Sequence, residues 1–256
     1  MNGPDDSVTL RRDGRLASVI LNRPARRNSF DLAMLGRFEE VLHELGRDSR
    51  VEVVVLTGAG TEFCGGTDLD ALATLDVATT MHVQRRTAEL VERWYRLEQT
   101  TVTAFNGPAS GAGAVLGLAS DLRVAADTCF FTFPEVTFGA PLTWSGMAIL
   151  ADLVGADRAK RWLLLGDRIE PAGMLRYDLV TDVVPAERLA VTAAVLTDRL
   201  LGVSPVGRSM IKRAARLAGP RFEASATDSY LGALSLAMLP AGENGHEVVT
   251  HRRAAG

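Results

Sequence analysis

VEVVVLTGAGTEFCGGTDL, Val51 to Leu69, and TTVTAFNGPASGAGAVLG, Thr100 to Gly117, decide the fold. Each is an apolar, β-like run that ends in a glycine-rich turn. Val51 to Thr57 is continuously apolar but for Glu52, as expected of a parallel strand buried on both faces. Glycine lets backbone N–H groups approach a ligand closely. The second turn also runs straight into an apolar helical pattern, and a helix N-terminus offers free N–H donors. Alone, either turn would serve only as a tight connection. Together they can aim two N–H groups at one oxygen, the layout that stabilises an oxyanion.

Around these turns the chain alternates strands and helices. Val8 to Arg12 and Leu16 to Leu21 read as a hairpin about Asp13-Gly14. From Asp31 the pattern turns helical, with Met34, Leu35, Phe38, Val41, Leu42 and Leu45 on one face. A long charged helix is expected over 78–99, a strand over 101–105 and a small-residue helix over 110–120. Short strands follow at 122–125 and 129–133, helices at 143–154 and 157–165, and a last strand at 180–184. Beyond Pro185 the pattern is helical, roughly 187–201, 205–218 and 222–238. This divides the chain into an α/β core, residues 1–185, and a C-terminal helical region, residues 186–256.

Composition excludes several function classes. The 256 residues are 47% hydrophobic and 23% charged, enough for a sizeable core without metals or disulfides. A net charge of −3 gives no electrostatic case for nucleic acid or an anionic membrane. The only two cysteines, Cys64 and Cys129, form no CxxC pattern and fit a reducing, cytoplasmic setting. Cys64 lies in the first turn, where it reads as a small filler. MNGPDDSV is polar and acidic, so no secretory leader is expected. The uncharged stretch between Glu98 and Asp121 is long enough to span a bilayer, but Asn106-Gly107-Pro108 breaks it into core elements. The four histidines are scattered and no metal-ligand spacing exists.

Four segments, LNRPARRNSFD (21–31), VVVLTGAGTEFCGGTDL (53–69), NGPASGAGAVLGLASDLRVAAD (106–127) and FTFPEVTFGAP (131–141), are similar, in order, to the crotonase superfamily of enoyl-CoA hydratases and isomerases. The resemblance implies a crotonase-like α/β fold, with repeated ββα units in two roughly perpendicular sheets and a helical C-terminal region. It implies an acyl-CoA thioester as substrate, no separate cofactor, and a homotrimer or a hexamer. The C-terminal helices, with Leu231, Leu234, Leu236 and Met238, would pack between subunits and cover the pocket. In Gly65-Gly66-Thr67-Asp68 the oxyanion donor maps to the Thr67 N–H, and in Gly111-Ala112-Gly113 to the Ala112 N–H. Ala112 would then need a negative φ.

Hydratases of this family use two glutamates. The position of the first is Val115, which moves no proton; the second, in Pro134-Glu135, is intact. Phe131, Phe133, Val136 and Phe138 surround it in sequence, and burial would raise its pKa toward that of a proton shuttle. One carboxylate suffices for a Δ3-to-Δ2 enoyl-CoA isomerase, which takes a proton from C2 and returns it to C4. Val115, Phe138, Leu142 and Trp144 are expected to line the acyl pocket. For CoA, the resemblance points to Arg26, Arg27, Asp68 and Leu69, and more loosely to Lys212. A hydratase, a decarboxylase and an inactive assembly partner remain the alternatives. A dinucleotide turn at Gly111 to Gly117, with Asp127 as its acid, fails on the intervening Asn106-Gly107-Pro108 and the short spacing.

Overall fold

In the computed structural model, which describes residues 6–220 and Phe222, the expected hairpin opens the chain. Strand β1 (Val8–Asp13) pairs antiparallel with β2 (Leu16–Leu21). Helix α1 (Leu32–Arg47) follows, capped by the Asp31 carboxylate, which accepts from the Met34 N–H at 2.8 Å. Its six predicted inward residues are all buried. Next come β3 (Val53–Gly58), the single turn α2 (Leu69–Leu72) and α3 (Val77–Tyr95). The uncharged stretch resolves into β4 (Thr100–Phe105), β5 (Ala109–Ser110) and α4 (Ala112–Leu118). Among the described residues, no single helix is long and apolar enough to cross a membrane.

The remainder is β6 (Leu122–Ala126), β7 (Phe131–Thr132), α5 (Gly146–Val154), α6 (Ala156–Leu165), β8 (Arg168–Ile169) and α7 (Pro171–Arg176). Then follow β9 (Asp182–Val184), α8 (Leu189–Leu201) and α9 (Pro205–Ala218). The strands form two sheets, one in the order β1-β2-β3-β4-β6-β9 and one in the order β5-β7-β8. From β2 to β9 the larger sheet is parallel throughout. Its main core holds α1, α3 and α4. On its other face Leu189 and Ala193 of α8 are buried with Ala104, Val124 and Ala126.

Two helix starts differ from the sequence reading, each for a backbone reason. The helix expected from Ser110 begins at Ala112, because Gly111 turns the chain at φ 50°. The helix expected from Thr143 begins at Gly146, because Trp144 and Ser145 both hold left-handed φ. α2, β8 and α7 span two to six residues each, too few for a periodicity to show. Leu231, Leu234, Leu236 and Met238 lie outside the described residues.

Parallel pairing places the ends of β2, β3 and β4 at one edge of the sheet, where three loops are stitched together. The Phe63 N–H donates to Pro108 O and the Ser110 N–H to Cys64 O, joining the two glycine turns. The Gly65 N–H donates to Arg27 O, the Phe30 N–H to Gly66 O and the Asp68 N–H to Phe30 O, adding the loop after β2. Asn28 is the pivot. It is fully buried at φ 55°, and its amide nitrogen donates to Ala59 O, Glu62 O and Phe63 O at 2.8–3.2 Å. Its Oδ1 accepts from the Arg23 N–H at 2.9 Å. Asn28→Ala leaves these groups without that partner and keeps a disfavoured backbone, so a loss of about 3 kcal/mol is expected in urea unfolding. A loss under about 1 kcal/mol would show that this pivot does not hold the loops.

Candidate active site

Gly66 and Gly111 bring the two turns into contact. Gly66 holds φ 90°, and a Cβ there would lie 2.8 Å from Ser110 O and 3.5 Å from the Ala112 nitrogen. Thr67, the next residue, therefore sits beside the start of α4. The flanking N–H groups are engaged: Gly66 on Cys64 Sγ, Asp68 on Phe30 O, Gly111 on Thr132 O and Val115 on Gly111 O. Among the described residues, the N–H groups of Thr67 and Ala112 have no backbone acceptor. Ala112 is absent from the positive-φ residues, as a first helical residue must be; Gly111 carries the strained angle instead.

Glu135 lies on this junction. It opens a 3₁₀ turn, Glu135–Phe138, directly after Pro134. A Cβ on Gly111 would collide with Glu135 Oε1, so the carboxylate rests on the glycine that precedes Ala112. Oε2 is buried with no hydrogen-bond partner. Burial pushes the Glu135 carboxyl up to about 8, against a smaller opposing pull from its own backbone N–H. A carboxyl raised this far, set beside two unengaged N–H donors, is equipped to exchange protons with a bound ligand near neutral pH.

Comparison with known proteins gives the family. The family model for enoyl-CoA hydratase/isomerase matches residues 11–227. The chain belongs to the enoyl-CoA hydratase/isomerase family. It is 30% identical over 210 residues to a short-chain-enoyl-CoA hydratase of Clostridium acetobutylicum, covering 82% of this chain and 80% of that one. It is 33% identical over 201 residues to a 1,2-epoxyphenylacetyl-CoA isomerase of Escherichia coli, covering 77% of each. Its fold superposes on the crystal structure of an enoyl-CoA hydratase/isomerase from Xanthobacter autotrophicus with a TM-score of 0.86, at 25% identity over 98% of both chains. The family is thus of the crotonase type, and its members act on acyl-CoA thioesters.

The structure separates the residues expected around the acyl group. A narrow apolar cleft, with room for about one water molecule as it stands (about 10 Å³), opens beside Thr67 and is walled by Phe30, Leu35, Leu72, Val83 and Trp144. Trp144 meets Phe30 edge-on, ring centres 5.1 Å apart. Val115, Leu142 and Phe138 do not line this cleft. Val115 is fully buried at the joint of α4 and α5, where a Cβ on Gly146 would come within 2.9 Å of it and also strike Leu142. Phe138 ends the 3₁₀ turn after Glu135 and is half-buried.

The residues expected to meet CoA are already paired with one another. Arg26 bridges Asp68 at 3.1 Å and Asp70 at 2.7 Å, and Arg27 bridges Glu62 at 2.8 Å. Both arginines are about half exposed, so phosphate could compete for them. Asp68 caps α2 through the Ala71 N–H, and Leu69 is the first residue of that turn. Burial opposes the Asp68 charge, but Arg26 and the Ala71 N–H outweigh it and hold the carboxyl below its usual range. Arg23, which the sequence reading passed over, grips Asp31 at 2.7 Å and Asp68 at 3.3 Å. It lies in the same LNRPARRNSFD segment as Arg26, so its place in that motif was the available signal.

Lys212 does not reach outward. Its ammonium is buried against Asp121 at 2.5 Å and Gln99 O at 2.7 Å, fixing α9 to the end of β4. Cys64 is a structural thiol: burial pushes it up to about 12, and Sγ donates to Asn28 O. His43 and His82 are exposed and far in sequence from these turns, beside Arg47 and Arg85.

The Glu135 carboxyl carries a stability consequence with a definite sign. Below its ordinary value of 4.5 the carboxyl is neutral in both folded and unfolded chains. Between 4.5 and about 8 only the unfolded chain releases the proton, so folding weakens as pH rises. The full loss is roughly 4 to 5 kcal/mol. Urea titrations from pH 5 to 9 are therefore expected to show Glu135→Gln gaining on the parent as pH rises. Parallel curves would mean that this carboxyl is not held in an apolar site.

Proposed function

We propose that the protein is a single-glutamate Δ3-Δ2 enoyl-CoA isomerase. In this reading the thioester oxygen accepts from the N–H groups of Thr67 and Ala112. Ionised Glu135 takes a proton from C2, and the charge spreads as a dienolate over the thioester oxygen and C4. The same carboxyl, now protonated, delivers the proton to C4, leaving the double bond between C2 and C3. Losing one such N–H donor costs about 3–4 kcal/mol of barrier.

The observation that carries the proposal is the solitary state of Glu135. Its carboxylate rests on Gly111 with Oε2 unpartnered, while Val115 fills the place of a second glutamate and is sealed in the core. The acids that line the cleft beside Thr67, Asp31 and Asp68, are helix caps bound to Arg23. Neither is free to activate water. Enoyl-CoA hydration is the second reading, favoured by the name of the Clostridium acetobutylicum relative.

The two reactions separate in one assay. With 3-enoyl-CoA, turnover to the 2-enoyl product is expected, and with 2-enoyl-CoA, little hydration. kcat/KM for isomerisation should rise about tenfold per pH unit and level above about 8, as the base must be ionised. Glu135→Gln is expected to lower turnover by about 10²–10⁴-fold while CoA binding persists. Efficient hydration by the parent would favour the second reading, and an active Glu135→Gln would remove the carboxyl from the mechanism. Turnover of neither substrate would favour an inactive assembly partner.

Assembly belongs to the same proposal: a homotrimer or a hexamer in the cytoplasm. It is supported by α9, where Val206, Met210, Ile211 and Leu217 are 66–92% exposed in the single chain. Such a strip is costly to leave in water. Light scattering at micromolar concentration is expected to give the mass of three or six chains, and a monomer would overturn it.

A further inference from the structure

In addition to Glu135 Oε2, the segment that leads into α5 holds two buried polar atoms without partners, Trp144 Nε1 and Ser145 Oγ. The two residues are 1% and 2% exposed. Both adopt left-handed backbone, φ 59° and 61°, which non-glycine residues seldom do in succession. Strain of this kind persists only where the surroundings enforce it, and it concentrates at functional sites. Here it sets a tryptophan into the wall of the cleft that Thr67 also lines.

An indole N–H can only donate, so it selects an acceptor. Buried and unmatched, it penalises the empty site and rewards a ligand that supplies oxygen. The charges around the cleft narrow the choice. Asp31 and Asp68 line it, whereas no lysine, arginine or histidine does. The arginines behind these carboxylates, Arg23 and Arg26, are already engaged by them, so the described lining offers no free cation to an anionic tail.

We infer that the acyl group selected by this site carries an uncharged oxygen on its chain, a hydroxyl or a carbonyl, which accepts a hydrogen bond from Trp144 Nε1. The inference rests on the acyl-CoA reading above and refines it, naming Trp144 as a specificity residue. Saturated thioesters, which cannot isomerise, test it by calorimetric titration. The probes are hexanoyl-CoA, its 4-hydroxy, 5-oxo and 6-hydroxy derivatives, and adipyl-CoA, against the parent and Trp144→Phe. Phenylalanine keeps an aromatic face for Phe30 and deletes only the donor.

At least one oxygenated thioester is expected to bind the parent about tenfold more tightly than hexanoyl-CoA, with adipyl-CoA weaker than both. In Trp144→Phe that ratio should fall to within about twofold. Circular dichroism and the affinity for hexanoyl-CoA report whether the variant is folded. Equal binding of all neutral thioesters to the parent overturns the inference and would mean that water satisfies the indole. A preference that survives in Trp144→Phe overturns it too, assigning the recognition elsewhere. Failure of every thioester to bind the folded parent overturns the acyl-CoA reading, and the inference with it.

Discussion

Gly111 has no side chain, and the carboxylate of Glu135 occupies the space that one would fill. The rest of the site depends on this contact. It requires a backbone at φ 50°, which glycine adopts without penalty, and it starts α4 at the next residue. One backbone turn thus seats the acid and frees the Ala112 N–H. The Gly111 N–H is held by Thr132 O, two residues before Pro134, so the strand pair β5-β7 fixes the distance between turn and acid. An alanine is tolerated at position 112 because strain ends at 111.

The seating has an energetic cost that the scaffold must carry. A carboxyl whose Oε2 meets no donor prefers to stay neutral, and folding is weakened wherever it must ionise. The compensation comes from the loops beneath. Asn28 ties three carbonyls of the first turn, Asn106 accepts from the Gly58 N–H and donates to Gly60 O and Glu62 O, and Cys64 closes onto Asn28 O. Well-satisfied polar groups hold these loops, whereas Glu135 Oε2 above them has no partner.

The fold was legible because its long elements obey simple periods. The α1 face from Met34 to Leu45 and the alternating β2 residues sit as their spacing demands. The contact between the two turns was legible too, since glycine punctuation marks where backbone must come close. The cleft was not. Trp144 could be guessed as its wall, but Val115 and Leu142 were read into it although they are core, because apolar sequence looks alike in a pocket and in a helix joint. Lys212, offered for CoA only by the resemblance, is drawn inside by Asp121 and Gln99 O, partners distant in sequence that no local pattern reveals. Left-handed Trp144 and Ser145 had no sequence signal, for neither residue type favours that backbone.

Arg23 explains how two acids can line an apolar cleft. Asp31 starts α1 and Asp68 starts α2, and each accepts an N–H from the first turn of its helix. One guanidinium reaches both. A carboxylate held by a cap and by an arginine is stabilised in its charged form and makes a poor base. The same bonds fix the two helix starts that flank Phe30 and Thr67, so these ion pairs help to shape the cleft. Glu135 differs in every respect: no arginine, a buried free oxygen and a raised pKa. The three acids thus differ by their partners alone: Asp31 and Asp68 are helix caps bridged by arginine, and Glu135 is left with a buried, unpartnered oxygen, which is what the proposed proton transfer would need.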